Sequence, residues 1–262
     1  MITFNNLSVA FGNHTILQNI SNTIGKGQLV ALIGENGAGK STLLHTLAGM
    51  HHFDGDIFFN TKPLHAFTNN QLATQRAVMM QSNQIGFDFS VFELIAMGRY
   101  PYVESIKMQA EKVQQYAALM DLTDYLTRRM SALSGGEQQR VHMARTLAQL
   151  NAFSDSTQPK LMLLDEPTSA LDMRHQHTLL SCVSAFVEQG NSAIIAIHDL
   201  NLASLYATDA ILLHDKKVLD SGPINTVLTE SNLQQMYAIK LHVNAHPYNN
   251  APMVFSQRQE FL

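Results

Sequence analysis

The fold is constrained most by one glycine-rich segment, residues 34–42, which reads GENGAGKST. A near-continuous apolar run (residues 28–33) precedes it, and residues 40–50 have the apolar spacing that is typical of a helix. Where a strand, a glycine loop and a helix follow one another, backbone N–H groups converge on phosphate oxygens and the helix dipole adds positive potential. The sequence therefore predicts an α/β fold with a phosphate-binding loop.

Each residue of this loop is a candidate nucleotide ligand. Glycine at positions 37 and 39 can adopt backbone angles that a side chain forbids. The Lys40 ammonium should pair with the β- and γ-phosphates, and the Ser41 hydroxyl should ligate Mg²⁺. A fortuitous glycine-rich turn is the alternative, and the flanking strand and helix argue against it. The predicted ligands are Gly34, Glu35, Asn36, Gly37, Ala38, Gly39, Lys40, Ser41 and Thr42.

Two adjacent acids follow a second apolar strand, residues 160–164. Asp165 ends that strand, where it can reach the same Mg²⁺ through water. Glu166 comes next and should point to the place where the γ-phosphate meets water. Solvated loop charges are the alternative for such a pair. Beside a phosphate loop, a metal ligand and a general base are the favoured roles.

The order of the predicted elements indicates an α/β core with a helical insertion. Residues 151–159 are polar and predict a surface loop. We therefore predict one domain, residues 1–262, with a catalytic core (1–81 and 158–262) and a helical subdomain (82–157). The predicted strands are residues 2–10, 15–21, 28–33, 56–60, 77–80, 160–164, 192–197 and 209–213, the first two forming an antiparallel pair, and the predicted helices are residues 40–50, 91–97, 107–120, 137–150, 173–188 and 200–206.

Composition argues against several classes of protein. The chain has 262 residues and a net charge of −4, which disfavours a nucleic-acid-binding surface. Its apolar runs are shorter than the roughly 20 residues of a membrane span, and its first residues lack the pattern of a secretion signal. The only cysteine, Cys182, lies in an apolar segment and should be an inert thiol in a reducing compartment. These features predict a soluble cytosolic protein.

Between the phosphate loop and the acidic pair, residues 133–140 read LSGGEQQR. Its serine can cap a helix whose first N–H groups form a second anion site. These three segments, in this order, resemble the nucleotide-binding subunits of ATP-binding cassette (ABC) transporters. The resemblance implies a P-loop NTPase fold with a RecA-like mixed sheet core, an antiparallel β subdomain and an inserted helical subdomain. That subdomain carries residues 133–140, which we call the signature. The resemblance also implies that the chain hydrolyses ATP and uses Mg²⁺.

The same resemblance implies roles for further residues. Phe11 matches the aromatic residue that stacks on adenine, although this family more often has tyrosine there. Gln81 matches the glutamine that contacts Mg²⁺ and the attacking water, and His198 matches the histidine that contacts the γ-phosphate; a structural histidine is the alternative. The expected catalytic residues are thus Glu166, His198, Gln81 and Lys40, and the expected Mg²⁺ ligands are Ser41, Gln81 and Asp165. The residues expected to contact an ATP molecule that the opposite protomer holds are Ser134, Gly135, Gly136, Glu137 and Asp172.

For this signature, a plain serine-capped helix is the alternative. If the resemblance holds, two copies of the chain sandwich two ATP molecules. The expected partners are the second copy, two transmembrane permease subunits and, indirectly, a periplasmic substrate-binding protein. The expected location is peripheral, at the cytoplasmic face of a bacterial inner membrane. Neither nucleic acid nor the transported molecule should contact the chain. Its 12 histidines are therefore not expected to bind that molecule.

Two segments resemble one branch of this family. Residues 97–102, MGRYPY, resemble a segment of importers for iron–siderophores, haem and vitamin B12, and the extension at 151–159 resembles that of hemin importers. A siderophore or vitamin B12 importer is the alternative. A soluble ABC ATPase without a transport role is the alternative from a different class, and a non-hydrolysing cassette should lack Glu166 or His198.

A contact with the permease is predicted at residues 83–89, NQIGFDF, which follow Gln81 closely. Phe87 and Phe89 could form a groove for a short cytoplasmic helix of the permease. The alternative is that both rings pack in the core of the helical subdomain.

Overall fold

The computed structural model describes residues 1–81, 87–154 and 158–257. In chain order, its strands are β1 (Ile2–Phe11), β2 (His14–Ile24), β3 (Leu29–Gly34), β4 (Asp54–Phe59), β5 (Lys62–Pro63), β6 (Arg76–Met79), β7 (Leu161–Asp165), β8 (Ser192–Ala196), β9 (Asp209–His214), β10 (Lys217–Pro223), β11 (Leu241–Ala245) and β12 (Pro252–Ser256). The α-helices are α1 (Lys40–Leu47), α2 (Asn69–Gln75), α3 (Val91–Met97), α4 (Ile106–Leu119), α5 (Gly135–Leu150), α6 (Met173–Glu188), α7 (Leu200–Tyr206), α8 (Ile224–Val227) and α9 (Glu230–Tyr237).

A six-stranded mixed sheet forms the centre, in the order β10-β9-β3-β8-β7-β6. All its neighbouring strands run parallel except β10, which is antiparallel to β9. A four-stranded antiparallel sheet has the order β2-β1-β4-β5, and β11 and β12 form a hairpin. Because the carboxyl ends of parallel strands meet at one edge, the segments after β3, β7 and β8 come together there. The predicted fold class, a mixed sheet with an antiparallel β subdomain and a helical insertion, is confirmed.

Alternate residues of the central sheet belong to two separate hydrophobic cores. In β3, Val30 and Leu32 pack with the antiparallel sheet and α1, whereas Ala31 and Ile33 pack with helices α3 to α6. Strands β7, β8 and β9 divide in the same way, because successive side chains of a strand point to opposite faces. With both faces covered, these strands are apolar almost throughout, which is why their sequences predicted them.

The helical insertion follows β6 and precedes β7 in the chain. Within it, the buried Arg140 of α5 donates to the carbonyls of Met120 and Asp121 at the end of α4, at 2.7 and 2.9 Å. These bonds satisfy carbonyls that a helix end leaves unpaired. The division into a core and a helical subdomain at residues 82–157 stays a prediction. Among the described residues, no helix is both long enough and apolar enough to cross a membrane.

Several predicted elements were wrong in extent or were missed. The helix predicted at 40–50 ends at Leu47, because Gly49 adopts a φ of 72°. The prediction of a polar surface loop at 151–159 was wrong at its start: Ala152 is buried and Phe153 packs against the core. Residues 155–157 of that loop lie outside the described residues. The elements that the sequence did not predict are β5, α2, β10, α8, α9, β11 and β12.

Candidate active site

The phosphate loop is shaped by close backbone packing at its glycines. Gly39 has a φ of 98°, and a Cβ atom there would lie 2.7 Å from Cδ2 of Leu17. A Cβ atom on Gly34 would lie 2.5 Å from the carbonyl oxygen of Leu213. Helix α1 begins directly after Gly39, and among the described residues no side chain caps its N-terminus. Its first N–H groups are therefore available to an anion.

Lys40 is the first residue of α1, and its side chain turns back over the loop. Its ammonium donates to the carbonyls of Gly34 and Glu35, at 2.7 and 2.9 Å. Burial lowers the pKa of Lys40, and the carboxylates of Glu166 and Asp165 oppose that shift. The nearby negative charges favour the charged ammonium, which is the form that pairs with phosphate oxygens.

Asp165 ends β7 beside α1 and is almost completely buried. The nearby Ser41 hydroxyl lowers the pKa of the Asp165 carboxyl, yet burial is the larger effect and raises it. Its Oδ1 atom is buried and has no hydrogen-bond partner among the described residues. Nε2 of His45, on the same helix as Ser41, lies 3.9 Å from Oδ2. A buried carboxylate oxygen without a partner is costly in an apolar environment, and a cation would offset that cost.

Glu166 stands at a strained turn after β7, with a φ of 49°. Its backbone N–H donates to the Ala196 carbonyl at 3.1 Å, and its own carbonyl accepts from Nε2 of Gln139 at 2.7 Å. Its side chain meets two others: Oε2 accepts from Nε2 of Gln81 at 2.7 Å, and Oε1 lies 2.5 Å from Nε2 of His198. Tertiary contacts thus fix both the backbone and the carboxylate of Glu166.

One cavity of about 550 Å³ brings Lys40, Gln81, Glu166 and His198 together, whereas the buried Asp165 is not among its lining residues. The phosphate loop forms one side of it, and the polar side chains of the β6, β7 and β8 ends form the other. The lining residues are Ile16, Asn36, Gly37, Gly39, Lys40, Ser41, Thr42, Gln81, Glu166 and His198. An opening of this size, with an ammonium, a carboxylate and a helix N-terminus, has the charges that a nucleoside triphosphate needs.

Phe11 lies outside that lining. It ends β1, and its ring is 48% exposed. The ring packs edge-on against His51, with 5.0 Å between ring centroids, and His51 in turn lies 5.6 Å from the ring of His45. An exposed aromatic face supported from one side is available for stacking.

The signature contains the N-terminus of α5, and residues of the same chain cap that N-terminus. The Ser134 hydroxyl accepts from the Glu137 N–H at 3.3 Å, while Oε2 of Glu137 accepts from the Ser134 N–H at 2.7 Å and from its hydroxyl at 2.8 Å. This is a capping box. These bonds to Ser134 lower the pKa of the Glu137 carboxyl. Ser134, Gly135, Gly136 and Glu137 do not line the described cavity.

The loop before α6 lies against the signature. A Cβ atom on Gly136 would stand 2.8 Å from the Ala170 carbonyl oxygen, so only glycine permits this approach. Asp172 caps α6 by accepting from the His175 N–H at 2.9 Å. Its bonds to the N–H and the imidazole ring of His175 lower the pKa of the Asp172 carboxyl. Like the signature residues, Asp172 stands outside the cavity.

Sequence reasoning missed Gln139, which connects the signature helix to the acidic turn. Besides its bond to the Glu166 carbonyl, its Oε1 accepts from the Ala170 N–H at 3.0 Å. A signal was present in the second of the two glutamines in GEQQR, but which backbone they reach depends on tertiary packing.

Comparisons with known proteins give a family and full-length relatives for this chain. The ABC transporter family model matches residues 17–169. The hemin import ATP-binding protein HmuV of Idiomarina loihiensis is 41% identical over 256 residues, which cover 98% of both chains. The protein of the same name from Escherichia coli O157:H7 is 40% identical over 97% of this chain and 98% of its own.

Solved structures have the same fold. An ABC transporter described as being of metal-chelate type, in an inward-facing conformation, has a TM-score of 0.78 at 25% identity, covering 97% of this chain and 95% of its own. A dimeric bacterial ABC transporter cassette has a TM-score of 0.75 at 24% identity, covering 85% of this chain and 98% of its own. From its motifs, its cavity and these relatives together, the chain belongs to the ABC transporter family.

Proposed function

We propose that this chain is the ATP-hydrolysing subunit of an importer for hemin, working as a homodimer on two membrane permease subunits. The observation that carries the hydrolytic part is the cavity in which Lys40, Glu166, Gln81 and His198 converge. The hemin part is supported by relatives 36–41% identical that are named hemin import ATP-binding proteins. A periplasmic substrate-binding protein would act on the permease, and the subunit would sit at the cytoplasmic membrane face.

Mg²⁺ fits the oxygen ligands that lie around Ser41. The buried Oδ1 of Asp165 has no partner among the described residues, and the Ser41 hydroxyl lies beside the same carboxylate. Asp165, Ser41 and the Gln81 carboxamide are the oxygen ligands that Mg²⁺ prefers. When bound, the ion would neutralise charge on the phosphate oxygens. Lys40 would leave the carbonyls of Gly34 and Glu35 to pair with the β- and γ-phosphates.

The Glu166 carboxylate would accept a proton from the attacking water. Gln81 and His198 each bind one of its oxygens, which fixes the carboxylate in the cavity that the phosphate loop also lines. His198 would then contact the γ-phosphate. Phe11 would stack on adenine, and Gly34, Glu35, Asn36, Gly37, Ala38, Gly39 and Thr42 would surround the phosphates with Lys40 and Ser41.

The second half of each ATP site would come from the other protomer. Ser134, Gly135, Gly136, Glu137 and Asp172 stand outside the cavity of their own chain. The Ser134 hydroxyl and the first N–H groups of α5 can bind a γ-phosphate that is held by the opposite phosphate loop. ATP would therefore hold two protomers together, and its hydrolysis would release them.

Growth on hemin as sole iron source tests the importer role. We expect a bacterial strain that lacks this gene to fail, the intact gene to restore growth, and the Glu166→Gln variant not to do so. Loss of growth on an iron–siderophore or of vitamin B12 uptake, with hemin use intact, would support the alternative importers. Normal use of all three substrates would point to a soluble ABC ATPase.

Phe87 is our candidate for the contact with the permease. Its ring is 78% exposed, whereas Phe89 packs against the hydrophobic core, so the prediction that both rings form the groove was wrong for Phe89. The intervening Asp88 fixes this segment, because its carboxylate accepts from the N–H and hydroxyl of Ser131 at 3.0 and 2.8 Å. Residues 83–86, the start of the segment singled out in the sequence, lie outside the described residues.

Replacement of the Phe87 ring tests whether it contacts the permease. We expect Phe87→Ala to leave folding and ATP binding unchanged and to weaken co-purification with the permease, because an exposed apolar anchor is lost. Tyr248→Ala is the matched control, since that ring is 93% exposed on the C-terminal hairpin. Equal co-purification of the two variants would move the permease contact elsewhere.

A further inference from the structure

The short helix α7 begins immediately after His198 and Asp199. The contacts that hold α7 in place therefore affect the position of His198. Asp199 caps α7 by accepting from the N–H groups of Asn201 and Leu202 at 2.9 and 3.0 Å. The position of His198 is therefore tied to the position of the first turn of α7. A helix of seven residues is marginal by itself, so that turn depends on what packs against it.

Asn201 connects this first turn to the last strand of the fold. Its Nδ2 donates to the Val254 carbonyl at 3.2 Å, and its Oδ1 accepts from the Val254 N–H at 2.8 Å. The carboxamide thus bonds to the backbone of β12 as a residue of a neighbouring strand would. The side chain is partly buried, so its two bonds are shielded from water.

The hairpin that Asn201 contacts is itself held in place. Val243 stands opposite Val254 in the β11–β12 pair, and both pack against the hydrophobic core. The Val243 N–H donates to Oε1 of Glu230 in α9 at 3.0 Å. Hairpin and core therefore give α7 a fixed point of attachment on the side of His198.

We infer that Asn201 is a positioning residue for His198, acting through the first turn of α7 and the backbone of β12. This inference rests on the proposed function, because it takes His198 to be a catalytic residue beside Glu166. It gives a role in hydrolysis to the C-terminal hairpin, which otherwise lies outside the cavity. Loss of the two bonds should let His198 drift from Oε1 of Glu166 while the phosphate loop stays intact.

A double-mutant cycle tests the inference on the full-length chain. We expect Asn201→Ala to lower kcat for ATP hydrolysis between about twofold and thirtyfold, with little change in the KM for ATP. In a His198→Ala background, the same substitution should have no further effect on kcat, because the residue that it positions is gone. Asn201→Asp keeps the acceptor for the Val254 N–H but loses the donor, so its kcat should be intermediate.

Asn232→Ala is the matched control. The Asn232 carboxamide also makes two bonds in the C-terminal region, donating to Oδ2 of Asp220 and to the Val227 carbonyl at 2.7 and 2.9 Å. Neither partner belongs to α7. We expect Asn232→Ala to lower the melting temperature as much as Asn201→Ala does while leaving kcat unchanged.

Each way in which the inference can fail gives a different experimental result. If His198→Ala leaves kcat unchanged, the proposed catalytic role of His198 is wrong. If His198→Ala lowers kcat and Asn201→Ala does not, or if the two losses simply multiply in the double variant, Asn201 is not a positioning residue. Equal loss of kcat in Asn201→Ala and Asn232→Ala would show a general loss of stability and would also overturn the inference.

Discussion

Two helices in this molecule have an N-terminus suited to phosphate, and they differ in what occupies it. Helix α1 follows Gly39, and among the described residues no side chain caps it. Helix α5 follows Ser134, whose N–H and hydroxyl both bond to the carboxylate of Glu137 in its own first turn. The first end is open to an anion, whereas the second already holds one that belongs to the chain.

This difference suggests a division of work between the two ends. The end of α1 lies in a cavity with Lys40, so it can bind a nucleotide within a single chain. The end of α5 is exposed and outside that cavity, where a capping box keeps the helix stable in water. A phosphate from another protomer would have to displace the Glu137 carboxylate. We therefore expect α1 to set the ATP affinity of one chain and α5 to set the affinity between chains.

The largest expected effect separates ATP binding from hydrolysis. Glu166→Gln should lower turnover by about 10²–10⁴-fold, the usual contribution of a general base, while the open end of α1 still binds ATP. The two helix ends should then hold an ATP-bound dimer together. Phosphate release, ATP titration and analytical ultracentrifugation measure the three effects.

The exposed Glu188, at the end of α6, provides the control Glu188→Gln, which should hydrolyse ATP normally. Near-normal hydrolysis by Glu166→Gln would mean that another group accepts the proton, and the role assigned to Glu166 would be lost.

The next prediction tests whether the α1 end and the α5 end at one ATP site come from different chains. Lys40→Ala should abolish ATP binding to the single chain, whereas Ser134→Arg should leave that binding intact and block dimer closure. In a mixed dimer with one substitution in each chain, both changes fall on the same site. The other site stays intact, and ATP-driven closure should persist there.

Cross-linking of tagged mixed dimers with limiting ATP measures this closure. If the mixed dimer behaves as though each of its two sites carried one lesion, the signature acts on the nucleotide of its own chain. The contrast between α1 and α5 would then concern one chain only.

The smallest effect tests whether Glu137 competes with phosphate. Glu137→Gln keeps an oxygen that can accept from Ser134 but removes the negative charge. We expect the ATP concentration for half-maximal dimer formation to fall about two- to fivefold, which is the scale of a charge at a helix end. The gain should shrink as salt concentration rises, because exposed charges are screened.

Helix α3 offers a matched control with the same capping box. Oε2 of Glu93 accepts from the Ser90 N–H and hydroxyl at 2.7 and 2.8 Å, as Glu137 does with Ser134. Glu93→Gln should therefore change the melting temperature as Glu137→Gln does and leave dimer formation unaltered. An equal shift in both variants would assign the effect to capping rather than to the signature.

Local patterns explain how much of the molecule the sequence predicted. The strands of the central sheet are apolar over nearly their whole length, and the phosphate loop is nine consecutive residues, so both could be recognised without tertiary information. Helix α2 was missed because none of its residues is buried and it therefore has no apolar face to reveal it. What defines it is a capping box between Thr68 and Gln71.

The C-terminal elements were missed for a related reason. Helix α8 has four residues, and β11 and β12 show no regular alternation of buried and exposed side chains. Their positions come from contacts with distant parts of the chain, such as the bonds between Asn201 and Val254. Propensity within such short segments is too weak to predict them.

The sequence by itself determined the chemical groups of the site: a glycine loop with Lys40 and Ser41, an acidic pair after an apolar strand, and a serine before a helix. Only the tertiary structure decided which of these groups meet. Gln81 and His198 are 85 and 32 residues from Glu166, and they reach its two carboxylate oxygens because β6, β7 and β8 end at one edge of a parallel sheet. Loop chemistry is local and can be read from neighbouring residues, whereas a shared sheet edge requires long-range strand pairing.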